Sequence, residues 1–493
     1  MKQLTGLDAS FLYMETASQF GHVSGLSILA PPDDPGYDPF CAWRQQIEQR
    51  LHLLEPLRRR PVEVPFQIDH PFWVEDPDFD LDFHVRHTAV APPGRDDQLA
   101  DLVARIIGRP LDRNRPLWET YVISGLPDGL FAILTKIHHA TVDGASGAEL
   151  LTMMLDSSPD GDEVPPAEHE WQPEPLPSDA ELLSRAGANL MRKPGRFLLL
   201  GARTLREVGK ATRNPVLVAT ANQLRGSLKG PLGAVLNIGR RRDVERDALP
   251  PLPKLRAPRT PFNGRITAHR KFAFRSTELS RVKEIKSALG ATVNDVVMAA
   301  CAGGLRRYLD GHGVLSDESL VAMVPVSIRT GEEEERWTNR VSGLVALLPT
   351  DEPDPLERVR KVHESMDSAK GIFQALPAET LTDFSQFPPP AVFTRAMRMA
   401  TRLSTRVDPT VNLVISNVPG PREPLYVAGS RLRHYYPVST IVDGQGLNIT
   451  VQSYLDTLDF GLVSCRDLVP DVWDLVDLIV EEIDVLAKAA GLS

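Results

Sequence analysis

The chain has 493 residues, 42% of them hydrophobic and 24% charged, proportions that exclude general disorder, collagen-like repeats and a long coiled coil. At about 150 residues per domain this length accommodates two or three domains. The net charge of −10 gives no global reason to bind nucleic acid, and Cys41, Cys301 and Cys465 are spaced too widely for a disulfide framework or a zinc knuckle.

The N-terminus, MKQLTGLDASFLYMETASQF, has no apolar run between a basic start and a small-residue cleavage site, and no later stretch approaches the roughly 18 apolar residues that span a bilayer. A cytoplasmic protein with buried thiols is expected. Residues 65–90 mix aromatic and β-branched side chains at alternating spacing, and 130–137 (LFAILTKI) reads as a buried strand. Asp143-Gly144 then leads into a helix from near residue 144. Between 156 and 181 lie nine acidic residues, six prolines and no Lys or Arg, a composition read as a linker that cannot order itself. From 185 to 242 the balance reverses to thirteen Lys/Arg against the single Glu207. Projected at 100° per residue, 192–213 gives a basic stripe of Arg192, Arg196, Arg203, Arg206, Lys210 and Arg213. An apolar arc of Phe197, Leu198, Leu200, Leu205 and Val208 lies beside it, and Leu199 interrupts the stripe. Such a helix either lies on an anionic lipid surface or packs its apolar face on the fold with its basic face solvated.

Five prolines from Pro250 to Pro261 mark the next boundary. Beyond it, 266–274 is strand-like, 277–290 is an amphipathic helix closed by Gly290, and 292–309 is a second helix with Asn294 or Asp295 near its start. Strands are expected at 319–328, 341–349, 411–416 and 448–455, and apolar positions 472, 475, 476, 479, 483 and 486 predict a packed terminal helix over 470–490. The class is α/β in two lobes.

The sharpest local feature is His138-His139-Ala140-Thr141-Val142-Asp143-Gly144, where a buried strand gives way to a loop. Consecutive side chains of a strand face opposite ways, so the two histidines do not serve one site. A neutral imidazole near pH 7 suits a general base for a hydroxyl proton; the alternative is a pair satisfied by backbone hydrogen bonds. The other histidines show no metal-ligand spacing. No G-x-S-x-G elbow occurs and no cysteine adjoins a histidine, which disfavours a covalent hydrolase.

Those seven residues resemble the HHxxxDG signature of the CoA-dependent acyltransferase superfamily, which includes chloramphenicol acetyltransferase and peptide-synthetase condensation domains. Other segments narrow the resemblance to the bacterial wax ester synthase/diacylglycerol acyltransferase family: LTGLDASFL at 4–12, Pro116-Leu117-Trp118, Asn294-Asp295, Thr338-Asn339-Arg340-Val341-Ser342 and Ser416-Asn417-Val418-Pro419-Gly420-Pro421. The resemblance implies two chloramphenicol-acetyltransferase-like lobes, 1–155 and 262–493, forming a tunnel at their interface. A connector over 156–261 joins them, an acidic Pro-rich linker followed by a basic helix.

It further implies that His139 is the general base in direct acyl transfer from long-chain acyl-CoA to diacylglycerol and to long-chain alcohols, with acyl-CoA a substrate and neither cofactor nor metal needed. His138 is a supporting residue. Asp143 is a structural partner for an arginine, Arg329 and Arg340 both being candidates, and Gly144 lets the backbone turn into the helix. Asn294 and Asp295, by composition alone helix-capping residues, become supports of the site, one amide helping to hold a developing oxyanion. Pro116, Leu117 and Trp118 pack the first lobe and, with Ser416, Asn417 and Gly420, shape the tunnel. The expected location is the cytoplasm, peripherally on the inner membrane face or on lipid droplets. The rival readings are a condensation or polyketide-type acyltransferase using carrier-bound thioesters, and a non-catalytic lipid-surface protein.

Overall fold

A computed structural model describes residues 1–142, 150–167, 171, 173, 175–192, 257–327, 341–375 and 408–492. The chain divides into two compact units, Met1–Pro177 with Leu255–Ser493, and Ser178–Lys254. In the second unit the described part is the helix Asp179–Arg192; most of the basic segment, including the projected stripe beyond Arg192, lies outside the described residues.

In the larger unit the chain runs through β1 (Lys2–Gln3), α1 (Gly6–Tyr13), β2 (His22–Ala30), α2 (Pro39–Arg50), β3 (Arg59–Val62), β4 (Phe72–Glu75), β5 (Val85–Ala89), α3 (Asp96–Ile107), β6 (Trp118–Ser124) and β7 (Phe131–His138). The later part forms β8 (Arg270–Glu278), α4 (Leu279–Leu289), α5 (Val293–Gly311), β9 (Leu320–Ser327), β10 (Val341–Leu348), α6 (Pro355–Ala375) and β11 (Leu413–Val418). It ends with β12 (Tyr426–Val427), β13 (Ser430–Val438), β14 (Leu447–Tyr454), β15 (Thr457–Cys465) and α7 (Val472–Ala489). Among the described residues these strands form two six-stranded sheets, ordered β12-β13-β2-β7-β6-β5 and β10-β9-β11-β14-β15-β8, with a small sheet β1-β4-β3. No single helix among the described residues is long and apolar enough to cross a membrane.

Local chemistry sets the helix ends. Gly290 closes α4 at φ +64°, a left-handed cap that glycine adopts without penalty. Thr292, not Asn294 or Asp295, caps α5: its hydroxyl accepts the Asp295 N–H at 3.1 Å while the Asp295 carboxylate accepts the Thr292 N–H at 2.9 Å. The reciprocal pair satisfies two amides that the helix itself leaves open, which places Asp295 in the first turn. On α7 the buried set includes every apolar position expected from its 3.6-residue periodicity. Cys301 and Cys465 are buried, and burial pushes the Cys301 thiol up to about 12; Cys41, expected to be buried, is exposed on α2, whose inward positions are Trp43, Gln46, Ile47 and Arg50.

The acidic segment is more ordered at its start than composition predicts. Asp156 is buried, its carboxylate pairs with Arg50, and its backbone exchanges hydrogen bonds with Tyr426 at 2.9 and 2.8 Å. Farther on, the Trp171 indole donates to Glu75 Oε2 at 2.8 Å. Single anchors with partners, Asp156 buried and Trp171 partly so, hold this stretch where bulk composition could not.

The sheets also cross the expected lobe boundary. β13 comes from the second half of the chain yet pairs antiparallel with β2, from Arg431↔Ala30 to Val438↔Ser24. It thereby covers what would otherwise be an open edge of β2. β14 and β15 then return to the second sheet, and β15 passes so close to β13 that a Cβ on Gly461 would lie 1.8 Å from the Pro437 carbonyl oxygen. Leu26, Val103 and Leu134 share one core cluster with Phe272, Val463 and Cys465, so the two halves of the chain bury a common interior. Gly461→Ala should therefore destabilise the protein by about 2 kcal/mol or more, because the obstructing neighbour is backbone. Thermal melts check this against Gly311→Ala, where a Cβ meets nothing within 4 Å and the melting temperature should hold or rise.

Candidate active site

The site is built where β7 ends. β2 and β7 pair antiparallel with His22 opposite His138, and the ladder extends one step further as the His139 N–H donates to the Gly21 carbonyl at 2.8 Å. On the other side the His138 N–H donates to Leu117 O at 2.9 Å, and the Thr141 N–H turns back to His138 O at 2.9 Å. His138 is thus fixed from both sides and closes a tight turn.

Its ring is fixed as well. Nδ1 accepts the Ala140 N–H at 3.0 Å, so in the neutral ring the proton resides on Nε2. Nε2 faces Glu15 Oε1 at 3.2 Å, within ion-pair distance though off the line of a hydrogen bond. Gly21 makes this possible, since a Cβ there would lie 2.6 Å from Nε2. Glu15 also accepts the Gly21 N–H at 2.8 Å and Arg113 Nη2 at 2.8 Å. Burial alone raises the Glu15 carboxyl, but its contacts with His138, Gly21 and Arg113 outweigh that and hold it down at about 2.

Behind the same face of the sheet, polar side chains finish the end of α3. Lys136 Nζ donates to Arg109 O at 2.7 Å and Ile106 O at 3.4 Å, and His22 Nε2 meets Ile107 O at 2.9 Å. Carbonyls left open at a helix C-terminus attract such donors and cations. Burial pulls Lys136 down to about 8 and His22 well below its ordinary value.

His139 takes the opposite face. It is half-buried, and its ring stacks on Phe11 of α1 at a centroid distance of 4.1 Å and 11° between planes. Alternation puts it on the side of Ile137 and Thr135. On β13, Tyr435 lies against β2 with its hydroxyl in the notch of Gly25, where a Cβ would come within 1.9 Å. Burial pushes the Tyr435 phenol up to about 12.

The remaining expected residues fall into three groups. Leu117 and Trp118 are 1% exposed: Trp118 donates through its indole N–H to Leu57 O at 2.8 Å and stacks on His84 at 4.5 Å. They pack the first lobe as expected, and the tunnel-lining part of the expectation is corrected for these two, because side chains so enclosed offer no surface to a substrate. Leu117 serves His138 through its carbonyl, and the Pro116 carbonyl accepts the Trp118 N–H at 2.9 Å.

In the second sheet the structure brings two expected residues together, Asn417 Nδ2 donating to Asn294 Oδ1 at 3.4 Å between β11 and the start of α5. Ser416 precedes on β11, paired with Thr450. Gly420 donates its N–H to Ser453 Oγ at 3.1 Å and leaves only 2.0 Å between a hypothetical Cβ and Ser453 O. Asp295 Oδ2 serves both the cap and His363 Nδ1 at 2.8 Å, an interaction that raises the His363 pKa. Asp143, Gly144, Arg329 and Arg340 lie outside the described residues. Glu15, Gly21 and Tyr435 were not found by sequence reasoning, and Phe11 entered only as part of the LTGLDASFL segment; the closely spaced Gly21 and Gly25 beside the histidine strand were the available signal.

Residues 4–297 match the family described as the wax ester synthase/diacylglycerol acyltransferase catalytic domain, and residues 337–487 match its C-terminal domain. A provisionally named diacylglycerol O-acyltransferase of Mycobacterium tuberculosis (strain CDC 1551 / Oshkosh) is 35% identical over 491 residues, covering 99% of this chain and 91% of the relative. The wax ester synthase/diacylglycerol acyltransferase from Marinobacter aquaeolei VT8 is 30% identical, with a TM-score of 0.68 over 100% of both chains. The first condensation domain of the calcium-dependent antibiotic synthetase, 16% identical with a TM-score of 0.55 over 99% of this chain and 96% of its own, shares the fold.

Because Glu15 is held at about 2 against an ordinary 4.5, it contributes stability that is complete above pH 4.5 and lost as the pH falls toward 2. Glu15→Gln should cost on the order of 3 kcal/mol at pH 7. In melts taken across pH, the gap between variant and wild type should close between pH 4.5 and 2.

Proposed function

The chain belongs to the wax ester synthase/diacylglycerol acyltransferase family, and on that premise we propose that it transfers the acyl group of long-chain acyl-CoA to diacylglycerol, and to long-chain alcohols, with His139 as the general base. The observation that carries this reading is the division of labour at the end of β7. Glu15 and Ala140 occupy the two ring nitrogens of His138, while the His139 ring faces the other side of the strand against Phe11.

His139 takes the hydroxyl proton of the acceptor as its oxygen attacks the thioester carbonyl. The tetrahedral intermediate collapses with cleavage of the C–S bond, and the departing CoA thiolate recovers the proton from the imidazolium. The Phe11 stack fixes the plane of the ring, and the electron-rich aromatic face favours the cationic form that develops in the transition state. The paired amides of Asn294 and Asn417 support the developing oxyanion from the second sheet. Asp143 shapes the loop after His139 through an arginine, Arg329 or Arg340, and Gly144 supplies its turn. Ser416 and Gly420 shape the tunnel wall. The basic segment 185–242 seats the protein peripherally on anionic membrane or lipid-droplet surface at the cytoplasmic side, consistent with a lipid-dissolved acceptor.

His139→Ala should lower esterification of dioleoylglycerol by palmitoyl-CoA about 10²–10⁴-fold with the melting temperature unchanged. His138→Ala should instead lower stability while retaining part of the activity; the reverse pattern would overturn the assignment. Thiol release should need both substrates, and a covalently acylated protein that turns over at a competent rate in mass spectrometry would exclude direct transfer.

Changing Arg196, Arg203, Lys210 and Arg213 to Gln should weaken binding to anionic vesicles at low salt, each charge near the surface contributing on the order of 1 kcal/mol. Co-sedimentation equal to wild type would leave the basic segment without a membrane role.

A further inference from the structure

The segment between β3 and β4 presents its apolar side chains outward. Phe66 is 85% exposed and Ile68 47%, while the residues flanking this tip, Val64, Asp69 and His70, are buried. The tip, Pro65-Phe66-Gln67-Ile68, carries no charge. Phe66 and Gln67 both sit at positive φ, +60° and +52°, a left-handed backbone that a residue with a bulky side chain rarely adopts. A large aromatic side chain in an unfavourable backbone, turned to water, gains nothing from the fold at that position.

The tip is held firmly. Val62 pairs with Phe72 at its base, the Gln67 N–H donates to Val64 O at 3.0 Å, and the Leu4 N–H donates to Pro71 O at 2.9 Å. His70 Nδ1 lies 3.1 Å from the Tyr13 hydroxyl, and Tyr13 ends α1, the helix whose Phe11 stacks on His139. A second link runs through Arg113, which contacts Glu63 at 3.5 Å and Glu15 at 2.8 Å. Exposed apolar side chains are thus mounted rigidly on the same elements that hold the two histidines.

We propose that Phe66 and Ile68 form a lipid-inserting contact that seats this face of the enzyme on the surface from which the acceptor is drawn. The proposal rests on the acyltransferase reading for the identity of its partner: a diacylglycerol acceptor is dissolved in lipid, so the element beside the base should meet lipid. Insertion by an uncharged tip is driven by apolar area and survives salt, unlike adsorption of the basic segment. Transfer of the Phe66 side chain from water changes partitioning by about tenfold or more, and the half-exposed Ile68 adds a smaller factor.

The test is co-sedimentation of the full chain with phosphatidylcholine vesicles containing diolein, at low salt and at about 0.5 M salt, where screening reaches within a few ångströms of each charge. Wild type should bind alike at both. The double variant Phe66→Ser, Ile68→Ser should bind at least about tenfold more weakly, and Phe66→Trp should retain binding. Phe66→Gly is the sharper probe, because glycine relieves the left-handed backbone: it should melt no lower than wild type yet lose binding. Wild-type-like binding by Phe66→Gly and the double variant at high salt would overturn the proposal, as would loss of wild-type binding at high salt. Thiol release by wild type from palmitoyl-CoA with hexadecanol dispersed in detergent is measured in parallel. Its absence would count against the acyltransferase reading, while the vesicle result still decides the role of the tip.

Discussion

Two successive histidines at the end of a strand must face opposite ways, and the register that sets His22 opposite His138 decides which one goes where. Slipping β2 against β7 by one residue would exchange the faces. The register is held by packing: Leu26, Ile28, Ala132 and Leu134 lie in one cluster with Leu99 and Val103 of α3, so a slip would turn an apolar row toward the wrong layer. His138 falls on the side where Gly21 has no side chain and Glu15 is waiting. His139 falls on the side of Phe11.

The segment that supplies Glu15 and Gly21 is held in turn by the second half of the chain. Arg270 Nη2 donates to Ser18 O at 2.6 Å, the Thr440 hydroxyl to Phe20 O at 2.7 Å, and the Asp443 N–H to Gln19 Oε1 at 3.2 Å. Residues 440 and 443 follow directly on β13, whose own course is set by Asp459, a buried carboxylate that accepts the Tyr435 N–H at 2.8 Å and the Ser276 hydroxyl at 2.6 Å. A buried carboxylate is costly unless so satisfied, and its partners fix where β13 crosses. The geometry around the two histidines therefore depends on residues more than 400 positions away in sequence.

The base proposed at His139 would act on a lipid alcohol, and such a base has to be reached from an apolar phase without wetting the interior behind it. The back of the β2–β7 pair meets this condition by internal pairing: Lys136 and His22 are spent on the carbonyls at the end of α3, and Glu15 on Arg113, Gly21 and His138. Most polar groups on that face are turned inward to partners, and the contact of Phe11 with His139 is apolar on the other.

Sequence alone determined the features that rest on neighbours close in the chain. The strand at β7, the glycine stop of α4, the inward face of α7 and the opposed placement of His138 and His139 all follow from periodicity and capping, which act over a few residues. The tertiary structure alone decided the rest. Glu15 reaches His138 across 123 positions, β13 joins β2 across some 400, and Trp118 turns out to be core because Leu57 and His84 close over it. Asp156 is ordered because Arg50 and Tyr426 meet it, and Phe66 is exposed because both flanks of its loop are buried around it. Each of these is a pairing whose two members carry no mark of one another in the chain, since a charge, a glycine or an aromatic ring acquires its meaning only from what folding sets beside it.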